Sequence, residues 1–356
     1  MNLTEVINSL TEERGLDVKT LEGIICEGVL SAYEKKLPGV ELRATFDRSS
    51  GEVVVSARRI VVATVEQPEL EIALDKARRL SPGISLGAEL WVPLEAKIGR
   101  IEILKARQVI ASRIKEIEIQ EVYEAFKDRV GTIVHGNVYK VEGAGTLIKI
   151  QDTIAFLPNS LSIPGEKLLA GHTVKALLKD VLADPKGKNQ LVLDRASEQF
   201  VKELFALEIP EIFERTVEIK KMARIPGYKT KLIVTSNDPN IDPVGTCVGV
   251  GGSRIKPILK ELATEKVDVM ANNPITEELV KSALKPAKIN RVELTAAGDV
   301  LVWVDEDQRS LVVGRGGQNI TLAARLLGMN IQLVNKVEES EASSFLADAA
   351  EQQADE

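Results

Sequence analysis

The sequence predicts a multidomain α+β chain: an N-terminal α/β head with a long helix, a small β-barrel, and one αββααβ module present twice. Three observations predict it. The glycine cluster 249–252 recurs 65 residues on at 314–317, with a strand-like run before and after each copy and an apolar helical stripe following it. Residues 131–194 hold five short strand-like runs separated by glycine turns. Ahead of them, helical and alternating patterns are mixed and close in one long helical stretch.

Taken in order, residues 2–13 and 17–37 read as helices. Leu3, Val6, Ile7 and Leu10 line one face of the first, Leu21, Ile24, Ile25, Val29 and Leu30 that of the second, and Pro38-Gly39 stops it. Strands are expected at 40–46, 53–56 and 60–65, a short helix from Pro68 to Leu80, and a further strand at 88–92. The stretch from Arg100 to Lys127 carries Ile101, Leu104, Ile110, Ile114 and Ile117 at helical spacing. Strands then follow at 131–140, 146–150, 153–157, 174–178 and 190–194, a count and spacing that suit an OB-type barrel.

The duplicated module runs helix 200–207, strands 216–221 and 230–235, helix 242–248, glycine loop, helix, and strand 267–270. It repeats as 277–284, 289–294, 300–304, 307–313, loop, helix and 331–334. The domain division expected is 1–127, 128–198, 199–276 and 277–337, with 338–356 as an acidic tail expected to be disordered or a frayed helix.

The glycine loops carry the candidate chemistry. Gly249, Val250, Gly251 and Gly252, then Ser253, Arg254 and Lys256, match Gly314, Arg315, Gly316 and Gly317, then Gln318 and Asn319. Glycine reaches positive φ cheaply, and without β-carbons a sugar-phosphate backbone can lie against the chain. The frame fits the G-x-x-G clamp of KH domains, which holds single-stranded nucleic acid by its backbone. Arg195, Lys149, Tyr139, Phe156 and His172 are further candidate RNA contacts in the barrel.

Composition excludes other classes. No apolar run approaches the ~20 residues of a membrane span, and the N-terminus, with Glu5 and no basic start, does not read as a signal peptide. Cys26 and Cys247 are far apart and fit buried thiols in a reducing cytoplasm. The net charge of −7 is uneven: residues 338–356 contribute −7, residues 1–125 contribute −4, and residues 126–337 contribute +4. Neither loop completes a dinucleotide fingerprint, since Arg254 and Asn319 stand where a third glycine would, and neither is followed by Lys-Ser or Lys-Thr. His135 and His172 are the only histidines. The chain therefore reads as a non-enzymatic protein with no metal or cofactor.

The domain order, together with Ile209-Pro210-Glu211-Ile212, Val217-Glu218-Ile219-Lys220, Ala223-Arg224-x-Pro226-Gly227 and Ile241-Asp242-Pro243-Val244-Gly245-x-Cys247-Val248-Gly249, resembles the bacterial NusA family of transcription factors. Asn272-Asn273-Pro274 and 313–319 extend the likeness, which covers nearly all of residues 1–337. The resemblance implies an S1-type OB barrel and two tandem bacterial-type (type II) KH domains. It implies RNA polymerase as partner of the head, nascent single-stranded RNA as partner of the barrel and KH pair, and antitermination complexes with other Nus factors. It further implies a cytoplasmic monomer that modulates pausing, termination and antitermination.

Two departures bear on this. Gly251 stands where the family's first loop carries an arginine, so the first clamp is expected to hold phosphate less strongly than the second, which has Arg315. In the barrel, Ala144 and Leu147 occupy positions that stack bases in S1 modules, and Pro158 stands where a histidine is usual. The C-terminal acidic repeats of some relatives are not expected here. The alternative reading is a ribosome- or RNA-decay-associated KH/S1 protein.

Overall fold

The computed structural model describes residues 17–94, 100–185, 189–295 and 298–334. The helix expected at 2–13 and the tail at 338–356 lie outside them. The chain forms two compact units, 1–121 and 122–356.

In the first unit, α1 (Val18–Glu34) begins at Asp17, whose carboxylate accepts hydrogen bonds from the amides of Lys19 and Thr20 and from the Thr20 hydroxyl. Leu21 and Ile25 of α1 are buried against Ile110, Ile114 and Ile117 of α3 (Arg100–Phe126) and against Phe46 and Val53 of the sheet. That sheet comprises β1 (Leu42–Asp47), β2 (Glu52–Val62), β3 (Glu71–Ala73) and β4 (Glu89–Pro93). The short helix α2 (Leu74–Leu80) follows β3.

Three expectations for this unit are corrected. The two strands at 53–56 and 60–65 are one, because Ser56 and Ala57 pair with both β1 and β4 and Arg58 and Arg59 stay paired with β4, with the Arg58 amide donating to the Glu41 carbonyl. Arg58 is accommodated on the outer face by Glu41 and Glu89. The helix expected from Pro68 starts only at Leu74. Its first part is a turn in which the Glu71 carboxylate accepts the amides of Glu66 and Gln67, and it leads into strand β3 beside β2. Leu104 is 65% exposed, and Ala106 takes the buried position.

In the second unit, Val122, Tyr123 and Phe126 of α3's last turns pack on the barrel core. The barrel closes in the order β5 (Ile133–Glu142), β6 (Gly145–Ile150), β7 (Thr153–Pro158), β9 (Leu191–Asp194) and β8 (Thr173–Val181), with β8 returning to β5. Period-2 alternation puts Ile148, Ala155, Leu157 and Leu191 inside, and Leu147, Lys149, Phe156 and Val192 outside.

The first repeated module has α4 (Glu198–Glu208), α5 (Pro210–Phe213), β10 (Val217–Ile225), β11 (Lys229–Ser236), α6 (Pro243–Val248), α7 (Ile255–Glu261) and β12 (Lys266–Ala271). The second has α8 (Thr276–Ala283), β13 (Arg291–Leu294), β14 (Val300–Trp303), α9 (Glu306–Val313), α10 (Gln318–Leu327) and β15 (Ile331–Val334). Both sheets have one antiparallel and one parallel pair in the same order. The helices of each module cover one face of its own sheet, over Phe205, Leu232 and Ile258 in the first and Leu284, Val302 and Leu326 in the second.

The other face of the first sheet is covered by the second module. Ala223, Ile233 and Met270 share a core with α10, which packs on β10 and β11. On that face Lys231 is fully buried and ion-paired to Asp268 at 2.9 Å. Lys221 Nζ donates to the carbonyl of Leu327 at α10's C-terminal end, where the exposed carbonyls favour a cation.

Candidate nucleic-acid interface

The two glycine loops have the same backbone. Gly249 and Gly314 lie at φ 73° and 71°, Gly251 and Gly316 at 60° and 59°, and Gly252 and Gly317 at 77° and 76°. Side chains rarely adopt such values. At Gly249 and Gly314 close approach adds a second reason. A β-carbon at Gly249 would stand 2.7 Å from Ser253 Oγ, and one at Gly314 would stand 2.7 Å from Asn319 Cβ. At Gly251 and Gly316 it would meet open space, so that side of each loop is free for a ligand.

What the loops present differs. Val250 at the first tip is 96% exposed, while Arg315 at the matching position offers an exposed guanidinium. Lys256 is exposed and runs beside the first loop, its Cε 3.5 Å from where a β-carbon on Gly252 would sit. Ser253 is exposed, and Gln318 and Arg254 are half-buried.

Arg254 and Asn319, both expected among the contacts, face inward to different degrees. Arg254 Nη1 donates to both Glu211 oxygens at 2.9 Å and to the Thr246 carbonyl at 3.1 Å. Asn319 is 3% exposed, and its Nδ2 donates to the carbonyls of Leu311 and Val312 at 3.2 Å. Asn319 is therefore corrected from an RNA-contacting side chain to one holding the loop from beneath. A polar residue beside a glycine loop gives no sequence signal of which way it points.

Arg195 is corrected outright. It is 3% exposed, and its guanidinium is engaged by Glu166 Oε2 at 2.9 Å, by Glu261 Oε1 at 2.5 Å and by the carbonyls of Lys175 and Glu261. Nearby, Arg224 and Glu265 form a second buried pair with two 2.9 Å hydrogen bonds. Both guanidinium groups lie over the Phe200 ring, at 5.2 Å and 5.8 Å from its centroid. Glu166 belongs to the barrel and Glu261 to α7, so this cluster joins barrel to first module. Nothing in the spacing of these residues signals the joint, because its partners are 29 to 66 positions apart.

On the barrel exterior, Lys140, Leu147, Phe156 and Val192 form one cross-strand row, and Lys149 is exposed in the next, 3.7 Å from Asp152. Phe156 lies outside the core, over Gly145. Tyr139 is 62% exposed and His172 is also exposed. Among the described residues no group of three or more His, Cys, Asp or Glu could hold a metal ion, and no helix is long and apolar enough to cross a membrane.

Residues 2–120 match the NusA N-terminal domain, 195–272 the NusA-like first KH domain and 276–341 the NusA-like second KH domain. A transcription termination/antitermination protein NusA from Thermus thermophilus is 36% identical over 99% of this chain and 94% of its own length. The chain belongs to the NusA family. NusA proteins of Rickettsia prowazekii and Halalkalibacterium halodurans are each 32% identical, over 96% and 97% of this chain and 69% and 91% of their own lengths. Membership makes this a transcription-associated RNA-binding protein, with two KH domains, a NusA-type head and a closed five-stranded barrel. NusA proteins are RNA-binding regulators and not enzymes.

Proposed function

We propose that this chain is a monomeric factor that holds RNA polymerase through residues 1–127 and nascent single-stranded RNA through residues 128–337, and so modulates pausing, termination and antitermination. The division is 128–198 for an S1-type OB barrel, 199–276 and 277–337 for the two KH domains, and 338–356 for the tail. The observation that carries the reading is the pair of glycine loops with one backbone conformation, each open on the side where a β-carbon would project. In the first clamp Gly249 to Ser253, Arg254 and Lys256 meet the sugar-phosphate backbone. In the second Gly314 to Gln318 do so, with Arg315 as the strongest single contact. The barrel's outward Phe156 offers one surface for base stacking beside Lys140 and Lys149.

The test is transcription by purified polymerase with and without the chain, scoring pause lifetime and readthrough at an intrinsic terminator. The intact chain should lengthen pauses, and a variant with both clamps disabled (Val250→Asp, Gly251→Asp, Arg315→Asp, Gly316→Asp) should still bind polymerase while losing most of that effect. Equal pausing by the two proteins would refute the assignment of RNA to the loops. Binding of ribosomes in place of polymerase would favour the alternative reading.

A further inference from the structure

We propose that Glu211 is a positioning residue for the first RNA clamp: acting through Arg254, it fastens the 249–252 loop to the last turn of α6. The inference rests on the reading of that loop as a clamp and adds a residue that touches no RNA.

The two copies close their loops in the same way. In each, the side chain five positions after the first glycine reaches back to the carbonyl three positions before it: Arg254 to Thr246 at 3.1 Å, Asn319 to Leu311 at 3.2 Å. Each is a tie across eight residues that closes the base of the glycine loop. In each, the first glycine is the one whose missing β-carbon makes room for that side chain. Two different side chains make the same bond at the same place.

The copies differ in what holds the tying side chain. Asn319 is enclosed, with a third, longer bond to the Leu284 carbonyl at 3.5 Å. A short amide surrounded by packed atoms has few other rotamers to occupy. Arg254 is long, its side chain is 36% exposed, and its stem alone would leave the guanidinium many alternatives. Glu211 removes them. Its two oxygens take Arg254 Nη1 at 2.9 Å each, the same nitrogen that bonds Thr246. Glu211 sits in α5, whose Pro210 at the first helical position and buried Ile209 fix where that short helix starts. The carboxylate is thus mounted on packed backbone, and the arginine hangs between it and the loop.

Simple charge and positioning predict opposite signs for one substitution. Glu211 places a negative charge near a phosphate-binding loop, so on charge alone Glu211→Gln would tighten RNA. As a positioning residue, its loss frees Arg254, lets the loop fray, and makes RNA binding carry the cost of ordering it.

The experiment uses the full chain and a labelled single-stranded RNA of mixed sequence, with affinity measured over a range of salt. Four proteins are compared: wild type, Glu211→Gln, a first-loop variant Val250→Asp/Gly251→Asp, and the combination. Glu211→Gln should weaken binding about three- to tenfold, leave the slope of log affinity against log salt unchanged, and have no effect in the loop-variant background. Unchanged or tighter binding by Glu211→Gln beside a weakened loop variant overturns the tie alone. A loss as large in the loop-variant background also overturns it, since the residue would then act through the fold. Equal binding by wild type and the loop variant overturns the clamp reading and the tie with it. Should Glu211→Gln fail to fold by circular dichroism, Glu211→Asp serves. It keeps the charge, but its carboxylate, one methylene shorter, cannot reach Arg254 from the same backbone position, and the same loss is expected.

Discussion

Replacing Arg224 by Met should destabilise the second unit by about 3–5 kcal/mol, because it leaves the Glu265 carboxylate buried and unpaired. The arginine side chain is 1% exposed and the glutamate 0%, so water cannot take over either charge. Arg224 supplies two of the hydrogen bonds to Glu265, and also one to the Ser197 carbonyl at the start of α4. Among the described residues the remaining donors to Glu265 are the Thr230 hydroxyl and the Gly227 amide. They satisfy lone pairs and leave the charge uncompensated. A loss of this size is a large fraction of a domain's usual 5–15 kcal/mol.

Changing Glu265 to Gln as well removes that charge and keeps an oxygen for Thr230 and Gly227. The double variant should recover roughly 2 kcal/mol of the loss. The chain has two tryptophans, Trp91 in the first unit and Trp303 in the second, so urea titration in a Trp91→Phe background reports the second unit by fluorescence. A single-variant cost below about 1 kcal/mol, or a double variant no more stable than the single, would refute the argument.

Three further outcomes are expected. Arg315→Asp/Gly316→Asp should weaken RNA binding more than Val250→Asp/Gly251→Asp, since only the former removes a cation from the loop; gel shifts on the two variants decide it. Burial would push the Asp268 carboxyl up, but hydrogen bonds from Lys229 and Lys231 and their charge hold it below its ordinary value. Its stabilisation is therefore complete above about pH 4 and is lost as pH falls through the lower folded value, a loss that Asp268→Asn should not show on acid titration. Burial, with Glu211 nearby, pushes the Cys247 thiol up to about 12. A thiol-specific reagent at neutral pH should label Cys247 only as fast as the first KH domain opens, and labelling at the rate of a free thiol would contradict its placement.

Local pattern carried much of this structure. The period-2 runs of the barrel, the helical stripes after each glycine loop and the Asp242-Pro243 start of α6 all appear at their expected places, because each depends on neighbours in sequence. The failures are where tertiary partners decide. Arg58 and Arg59 look like a break between strands, yet the ladder to β4 holds them extended. Asn319, Arg254 and Arg195 look alike as polar residues beside candidate RNA surfaces. Only packing distinguishes the buried amide, the tethered guanidinium and the arginine enclosed by carboxylates.

The charge of residues 126–337 is only +4, too little for strong binding by electrostatics alone. The packing suggests how weak contacts suffice. The Arg195–Glu166–Glu261 cluster fixes the barrel to the first KH domain, and α10 fixes the second KH domain to the back of the first sheet. Under the proposed function, a strand of RNA held at one clamp meets the other at a set distance. The local concentration of the second site then replaces affinity that neither loop has by itself. This puts the specificity of the tandem in its spacing as well as in its loops. A substitution that loosens the α10 contact, such as Ile233→Ala with Met270→Ala, should then weaken binding of an RNA long enough to reach both clamps, and leave binding of one that reaches only one unchanged. Equal losses for the long and the short RNA would show that the clamps act independently.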